Sequence, residues 1–208
     1  MRNGLLDKNQ EIIGLRSGEI GMLTKNKELW LSLLAAVIIT AIYIFVVNWY
    51  HAIPAAGDFF GHMIGVIGFL LMLMAETLYS FRKRSRKGRW GSMQFWLQFH
   101  IFTGLVGPYM VLLHTSWKFN GLAGATTLLT IIIVISGFIG RYIYTRIPRS
   151  LDGIEITDPG EATHAAGLAR TRRTLSIWHA IHIPIGIALF VAAFIHIGAA
   201  LTYATLLR

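Results

Sequence analysis

The fold of this chain is decided by two apolar stretches that each carry histidines: FHIFTGLVGPYMVLLHTSW at residues 99–117 and WHAIHIPIGIALFVAAFIHI at residues 178–197. Each is close to the length of about 20 apolar residues that a helix needs to cross the hydrocarbon core of a bilayer. The histidines that matter are spaced fourteen residues apart in each stretch: His100 with His114, and His182 with His196. Fourteen residues make nearly four helical turns, so each pair is predicted to share one helix face at a separation of about 21 Å.

The composition of the 208-residue chain is typical of a membrane protein, since 54% of its residues are hydrophobic and only 14% are charged. Soluble domains carry about 25% charged residues. Five stretches are long and apolar enough to cross a bilayer: residues 29–47, 60–79, 93–114, 126–144 and 177–203. We therefore predict an all-α integral membrane protein with about five transmembrane helices. Residues 1–28 are predicted to precede this domain of residues 29–208, and residues 145–175 to form a cytoplasmic loop within it.

The basic residues fall almost entirely in alternate connections between the spans. Of the 19 lysines and arginines, 17 lie before the first span or in and around the second and fourth connections, and the other two are Lys118 and Arg208. Short loops rich in Lys and Arg remain in the cytoplasm. The N-terminus is therefore predicted to be cytoplasmic and the C-terminus outside, in a multi-pass protein of the cell inner membrane. Topology also accounts for the net charge of +9, so we expect no nucleic-acid partner.

This topology makes the two histidine-bearing spans parallel, because one complete hairpin separates them. His100 is then level with His182 near the cytoplasmic face, and His114 is level with His196 near the outer face. Histidines about 21 Å apart cannot share one ion whose bonds are near 2 Å. One imidazole from each helix at two levels is instead the geometry of two stacked haems with bis-histidine ligation. Because the chain has no cysteine, Cys-attached haem is excluded, and we predict two haem b groups with these four histidines as iron ligands.

Small residues lie between the predicted ligands and would let a flat porphyrin approach both helices closely. They are Gly104 and Gly107 in the third span and Gly186, Ala188, Ala192, Ala193 and Gly198 in the fifth. Pro108 and Pro184 are predicted to bend these spans. The aromatic residues near the span ends, Trp178 among them, are assigned to an interfacial belt.

On the quoted stretches, the chain resembles the dihaem membrane cytochromes b, and most closely the transmembrane domain of the ferric reductase and NADPH oxidase superfamily. Those proteins also pair histidines from a third and a fifth span, as His100, His114, His182 and His196 are paired here. The resemblance implies a haem scaffold for electron transfer. A sixth span is not evident in this sequence, and neither are the flavin and nicotinamide domains that follow the membrane part in many relatives. The resemblance therefore does not imply a particular donor or acceptor.

Three further residues are assigned to the cofactors. Haem propionates are anionic and need cations or hydrogen-bond donors near the membrane surfaces, which favours Arg141 at the cytoplasmic level and Lys118 at the outer level. His179 is expected beside the cytoplasmic-side haem, bonded to a propionate or a quinone, with a structural role given equal weight. His62 and Glu76 on the second span could serve proton-coupled quinone chemistry, but a plain helix-end position explains both more simply.

The predicted function is electron transfer across the membrane, with the chain as the cytochrome b subunit of an oxidoreductase complex. No flavin or nucleotide fingerprint is present and no catalytic residue is assigned. The haems are therefore expected to exchange electrons with a quinone or with a separate redox subunit, placed on the basic cytoplasmic face, while the outside of the bundle contacts lipid. Two alternatives remain: a haem-free transporter that uses the histidines as a proton relay, and a structural membrane anchor.

Overall fold

The computed structural model of the chain describes residues 26–84, 91–145 and 162–206, and these residues form five α-helices. The helices are α1 (Lys27–Tyr50), α2 (Phe59–Arg84), α3 (Met93–His114), α4 (Gly121–Tyr144) and α5 (Ala162–Leu206). All five are long and apolar enough to cross a membrane, in α5 over Ala169–Tyr203. The all-α fold and the five candidate spans of the sequence prediction are thus confirmed.

The outer surface of the bundle is apolar. In α1 only 11% of the most apolar window is buried within the protein, and in α4 only 17%. Large side chains such as Leu34, Ile38 and Phe45 are more than half exposed. A continuous apolar surface of this extent would be unstable in water but is the normal surface of a helix that contacts lipid. The exposed side chains therefore support contact with membrane lipid.

Helices that follow one another in the sequence run in opposite directions. Two such pairs pack closely, α2 with α3 and α4 with α5. The first pair is closest at two facing glycines. A Cβ atom added to Gly68 would lie 2.9 Å from the Gly107 carbonyl oxygen, and one added to Gly107 would lie 2.8 Å from the Gly68 carbonyl oxygen. Close backbone approach at small residues is how helices pack in the absence of a hydrophobic driving force. Helix α1 packs on α3, and α3 also contacts α4.

Helix α5 is longer than the predicted fifth span. It has 45 residues and is therefore about 68 Å long, roughly twice the thickness of a hydrocarbon core. Its first turns, from Ala162 onward, occupy part of the segment predicted as a loop over residues 145–175, so this part of the connection is helical. The sequence ATHAAGLARTRRTL at 162–175 is rich in the strong helix formers Ala, Leu and Arg, and a helix extends readily from an existing span. Residues 146–161 lie outside the described part of the chain.

The two ends of the bundle differ in charge and in their connections. The basic end is where Lys27, Arg84 and Arg141 lie, and the short-loop end is where residues 51–58 and 115–120 connect the helices. The Arg141 guanidinium meets Glu28 near the start of α1, and an Arg82 guanidinium N–H donates to the Gly91 carbonyl before α3. These contacts bring the helix termini of the basic end to a common level.

Substitution at the glycine contact should lower stability. In Gly68→Ala the added methyl would meet the Gly107 backbone, which cannot rotate away, so overpacking of about 1–3 kcal/mol is expected. The thermal unfolding midpoint of the purified protein in detergent should fall. Gly137→Ala is the matched control, because a Cβ atom there has no neighbour within 4 Å; an equal fall in both variants would contradict the packing described here.

Candidate functional site

The four predicted ligands form two pairs in the structure, one at each level. His182 lies within electrostatic range of His100, and His196 lies within that of His114. This matching requires α3 and α5 to be parallel, as the topology argument expects. All four imidazoles are partly buried. The pair at the basic end is called the basic-end pair (His100 and His182), and the other the short-loop-end pair (His114 and His196).

Helix α2 orients both histidines of α3 through its backbone. The Nδ1 atom of His100 lies 2.7 Å from the carbonyl oxygen of Ala75, and the Nδ1 atom of His114 lies 2.8 Å from that of Gly61. The two contacts are fourteen residues apart on each helix, because antiparallel helices keep their register over the whole span. The His114 ring also lies against Gly65, where an added Cβ atom would approach it to 2.6 Å.

Helix α4 orients His182 through a side chain instead. The Nδ1 atom of His182 lies 2.9 Å from the Ser136 hydroxyl oxygen, and the Trp178 indole stacks on the imidazole at a centroid distance of 4.6 Å. The Trp178 indole N–H donates to both the carbonyl oxygen of Ser136, at 2.8 Å, and its hydroxyl oxygen, at 3.1 Å. Gly140 makes room for the indole, since a Cβ atom there would collide with it.

The sequence analysis missed Ser136 and assigned Trp178 only to the interfacial belt. A serine in an apolar helix commonly bonds its own backbone, so Ser136 gives no signal of its own. The spacing of Trp178 does carry a signal, because it lies four residues before His182 and therefore on the same helix face. The polar partner of that face, Ser136, is brought to it only by the packing of α4 on α5.

The bonds at His100 and His114 select one form of the neutral imidazole. A carbonyl oxygen can only accept a hydrogen bond, so Nδ1 must carry the proton, and Nε2 is then left with its lone pair. This is the form that ligates metals, with the second nitrogen held by an outer partner. The Ser136 hydroxyl pairs with either form of His182 and so permits the same arrangement there. Among the described residues, none donates a hydrogen bond to Nε2 of these three histidines.

The two histidine-bearing helices are not packed tightly against each other. Helices α3 and α5 each pack closely on other helices but not on each other. Gly104, one turn after His100, faces open space, with nothing within 4 Å of an added Cβ atom. Gly107 does not serve this purpose, because it packs on α2; its prediction as part of a porphyrin surface is wrong.

An aromatic contact crosses between α2 and α5, midway between the two levels. The Phe69 ring lies 6.2 Å from the Phe190 ring and 5.4 Å from the Phe194 ring, in edge-to-face geometry. The contact therefore separates the basic-end pair from the short-loop-end pair.

Arg141 has an anionic partner within the protein. Its guanidinium lies 2.7 Å from a carboxylate oxygen of Glu28 and donates a further bond of 2.8 Å to Asn26. The Glu28 side chain is only 6% exposed and that of Arg141 18%. The salt bridge ties the beginning of α1 to the end of α4, and it accounts for a charge near membrane depth without a propionate. The assignment of Arg141 to a propionate stays a prediction.

The other assigned residues lie as follows. The His179 Nδ1 atom donates to the Leu175 carbonyl of its own helix at 3.0 Å, and its ring meets Trp178 edge-on at 4.7 Å. Lys118 is exposed in the connection after α3. His62 and Glu76 are exposed as well, His62 in the first turn of α2 and Glu76 about two turns before its end. The roles predicted for His179 and Lys118 remain predictions.

The histidines at each level can be compared with the ligands that a haem and a bare metal ion require. Within the described part of the chain, no group of three or more His, Asp or Glu side chains converges on one point, whereas a protein-only metal site takes at least three ligands. A porphyrin supplies four nitrogens itself and needs only two axial ligands. Two imidazoles at each level, one from each helix, match that requirement in number.

No known protein family, curated protein or solved structure matches this chain. The case for a site therefore depends on the geometry described above, and the resemblance to dihaem cytochromes b remains a prediction.

Arg141 could serve as the partner of Glu28 or as the partner of a haem propionate, and the two roles predict different effects of Glu28→Gln. Because the Arg141 guanidinium would lose its buried counter-ion, we expect a loss of stability of about 3–5 kcal/mol, measured as a lower unfolding midpoint, with cofactor content of the folded protein unchanged. Glu76→Gln, at an exposed carboxylate, is the control. If Arg141→Gln instead released cofactor from protein of undiminished stability, the propionate role would be correct.

Proposed function

We propose that this protein transfers electrons across a membrane through two haem b groups, one held by the basic-end pair and one by the short-loop-end pair. The observation that carries the proposal is the backbone bond at Nδ1 of His100 and of His114. A histidine that only fills space in an apolar helix needs no particular tautomer. Two such histidines, four turns apart, both held with Nε2 available and each level with a histidine of another helix, are suited to ligation.

The haem supplies a reversible one-electron iron couple, and the chain supplies position and environment. His100 and His182 would hold one group, and His114 and His196 the other, at levels about 21 Å apart along the helices. The partners at Ala75, Gly61 and Ser136 fix the planes of their rings. The apolar helix faces around the pairs lower the local dielectric and exclude water, which affects the reduction potential of a bound haem.

The proposed orientation in the membrane and the proposed partners rest on the charge distribution. The basic end is proposed to face the cytoplasm of a cell whose inner membrane holds the protein. The part of α5 that precedes the apolar stretch at residues 177–203 exposes Arg170 and Arg173. A basic helical surface favours the approach of an acidic redox subunit, so the proposed partner of the basic-end haem is such a subunit, or a quinone in the adjacent lipid.

The proposal is tested by the colour of the purified protein. Expressed with adequate haem and purified in detergent, it should show a dithionite-reduced b-type spectrum and about two haems per chain. His100→Ala and His182→Ala should each remove one spectral component, and His114→Ala and His196→Ala the other. His62→Ala, at an exposed histidine of α2, is the control and should retain both.

Two outcomes of this measurement contradict the proposal. A colourless, folded protein after haem-supplemented expression would favour the haem-free proton relay or the structural anchor. If His100→Ala and His196→Ala abolished the same component while the other survived, the parallel pairing of the helices would be wrong.

The orientation can be tested independently, because the chain has no cysteine and single cysteines can be placed at will. A cysteine at exposed Lys83 of the basic end should react with an impermeant maleimide only after the cells are opened, since basic loops remain inside. A cysteine at exposed Asn120 of the short-loop end should react in intact cells. The reverse pattern would invert the orientation and move the proposed partner to the outside.

A further inference from the structure

The four histidines are not equally supported. At the basic end both imidazoles are restrained: His100 by the Ala75 carbonyl and by the Tyr79 ring at 5.1 Å, and His182 by the Ser136 hydroxyl and the stacked Trp178. Each ring thus has a hydrogen-bond partner and an aromatic neighbour. The basic-end pair is held on both sides of the space between α3 and α5.

At the short-loop end only one side is held. His114 is bonded to the Gly61 carbonyl and wedged against Gly65. His196 makes no hydrogen bond to any residue in the described ranges 26–84, 91–145 and 162–206, and no aromatic ring stacks on it there. Its side chain is only partly buried, and its neighbours Phe194 and Ile195 are more than half exposed.

The register of α4 and α5 explains the difference. Ser136 meets His182, so the antiparallel pair places the equivalent position for His196 fourteen residues earlier on α4, at Leu122, which has no polar side-chain atom. The threonine hydroxyls one turn further along α4 bond their own helix, and within the described residues neither bonds His196. Thr126 donates to the Leu122 carbonyl at 2.8 Å, and Thr127 donates to that of Ala123 at 2.9 Å.

An axial histidine without an outer hydrogen bond is a weaker ligand. The outer bond fixes the tautomer and the ring orientation and raises the basicity of the ligating nitrogen, and losing it typically costs 10–100-fold in metal affinity. Only a metal bond would fix the orientation of the His196 ring. Hydrogen bonds already fix the rings of the other three histidines. At the short-loop-end site, the ligand that dissociates first is therefore the one on α5.

We propose that the short-loop-end haem opens on its α5 side by release of His196 and there binds a small neutral ligand of ferrous iron, whereas the basic-end haem stays closed. This rests on the proposed function, since both sites must first hold haem. The site would take a diatomic molecule of the class of carbon monoxide. It is bordered on the α3 side by His114, which remains as the fixed ligand.

Carbon monoxide is the probe. Added to dithionite-reduced protein that carries two haems, it should shift about half of the haem absorbance, corresponding to one molecule per chain. Ser136→Ala removes the side-chain restraint on His182 and should raise the affinity of the basic-end haem for carbon monoxide about tenfold or more, so that the stoichiometry rises towards two. Thr130→Val is the matched control on the same helix, because its hydroxyl bonds only the Thr126 carbonyl; it should remain at one.

Double variants assign the reactive haem. His100→Ala/His182→Ala should retain a haem that binds carbon monoxide, and His114→Ala/His196→Ala a haem that does not. Should these variants fail to fold, the stoichiometries of the wild type and of Ser136→Ala decide. Two haems with no carbon monoxide bound, or two bound in the wild type, would overturn this inference and leave the proposed function intact. A wild-type protein without haem would refute the proposed function itself.

Discussion

The hydrogen bonds from the α3 histidines to the backbone of α2 are the contacts on which the candidate site depends. In lipid, an imidazole N–H without an acceptor costs several kcal/mol, and apolar side chains cannot supply one. A helix carbonyl has a second lone pair beyond the one used within the helix. Ala75 has only a methyl side chain and Gly61 has none, so the ring edges can reach their carbonyl oxygens. The backbone of one helix thereby fixes the side chains of the next.

The bundle consists of two antiparallel pairs and α1, and each pair orients histidines on one of its helices. In the α2–α3 pair the close approach of Gly68 and Gly107 brings the backbones together along the whole contact, and both histidines find carbonyl acceptors. In the α4–α5 pair the contact at Gly140 is filled by the Trp178 ring instead. The acceptor there is a serine side chain, which serves a single position. Backbone acceptors repeat along a helix, whereas side-chain acceptors do not, and this is why the two levels differ.

Helix α1 lies at the edge of this arrangement, with most of its apolar surface exposed, and makes two polar contacts with its neighbours. Glu28 pairs with Arg141 of α4 at the basic end, and farther along the Tyr109 hydroxyl of α3 donates to Thr40, whose own hydroxyl donates to the Ala36 carbonyl. Polar bonds between helices resist separation in lipid because the separated groups would lose their partners. These two points fix the register of α1, and apolar side chains such as Ile39 and Tyr43 pack in the core cluster between them.

The sequence by itself determined the five helices and the levels of their histidines, because span length and helical period are local properties of the chain. It underestimated α5, since hydropathy ends where the lipid ends but helix propensity continues through the alanines and arginines that precede the span. Only the tertiary structure decided what holds the imidazoles and which charge meets Arg141. Every residue has a carbonyl group, so the amino-acid sequence does not distinguish the carbonyl groups of Ala75 and Gly61 as acceptors. The partners of Ser136 and of Arg141 are 46 and 113 residues away, and such pairs form only when packing fixes the rotation of each helix about its axis.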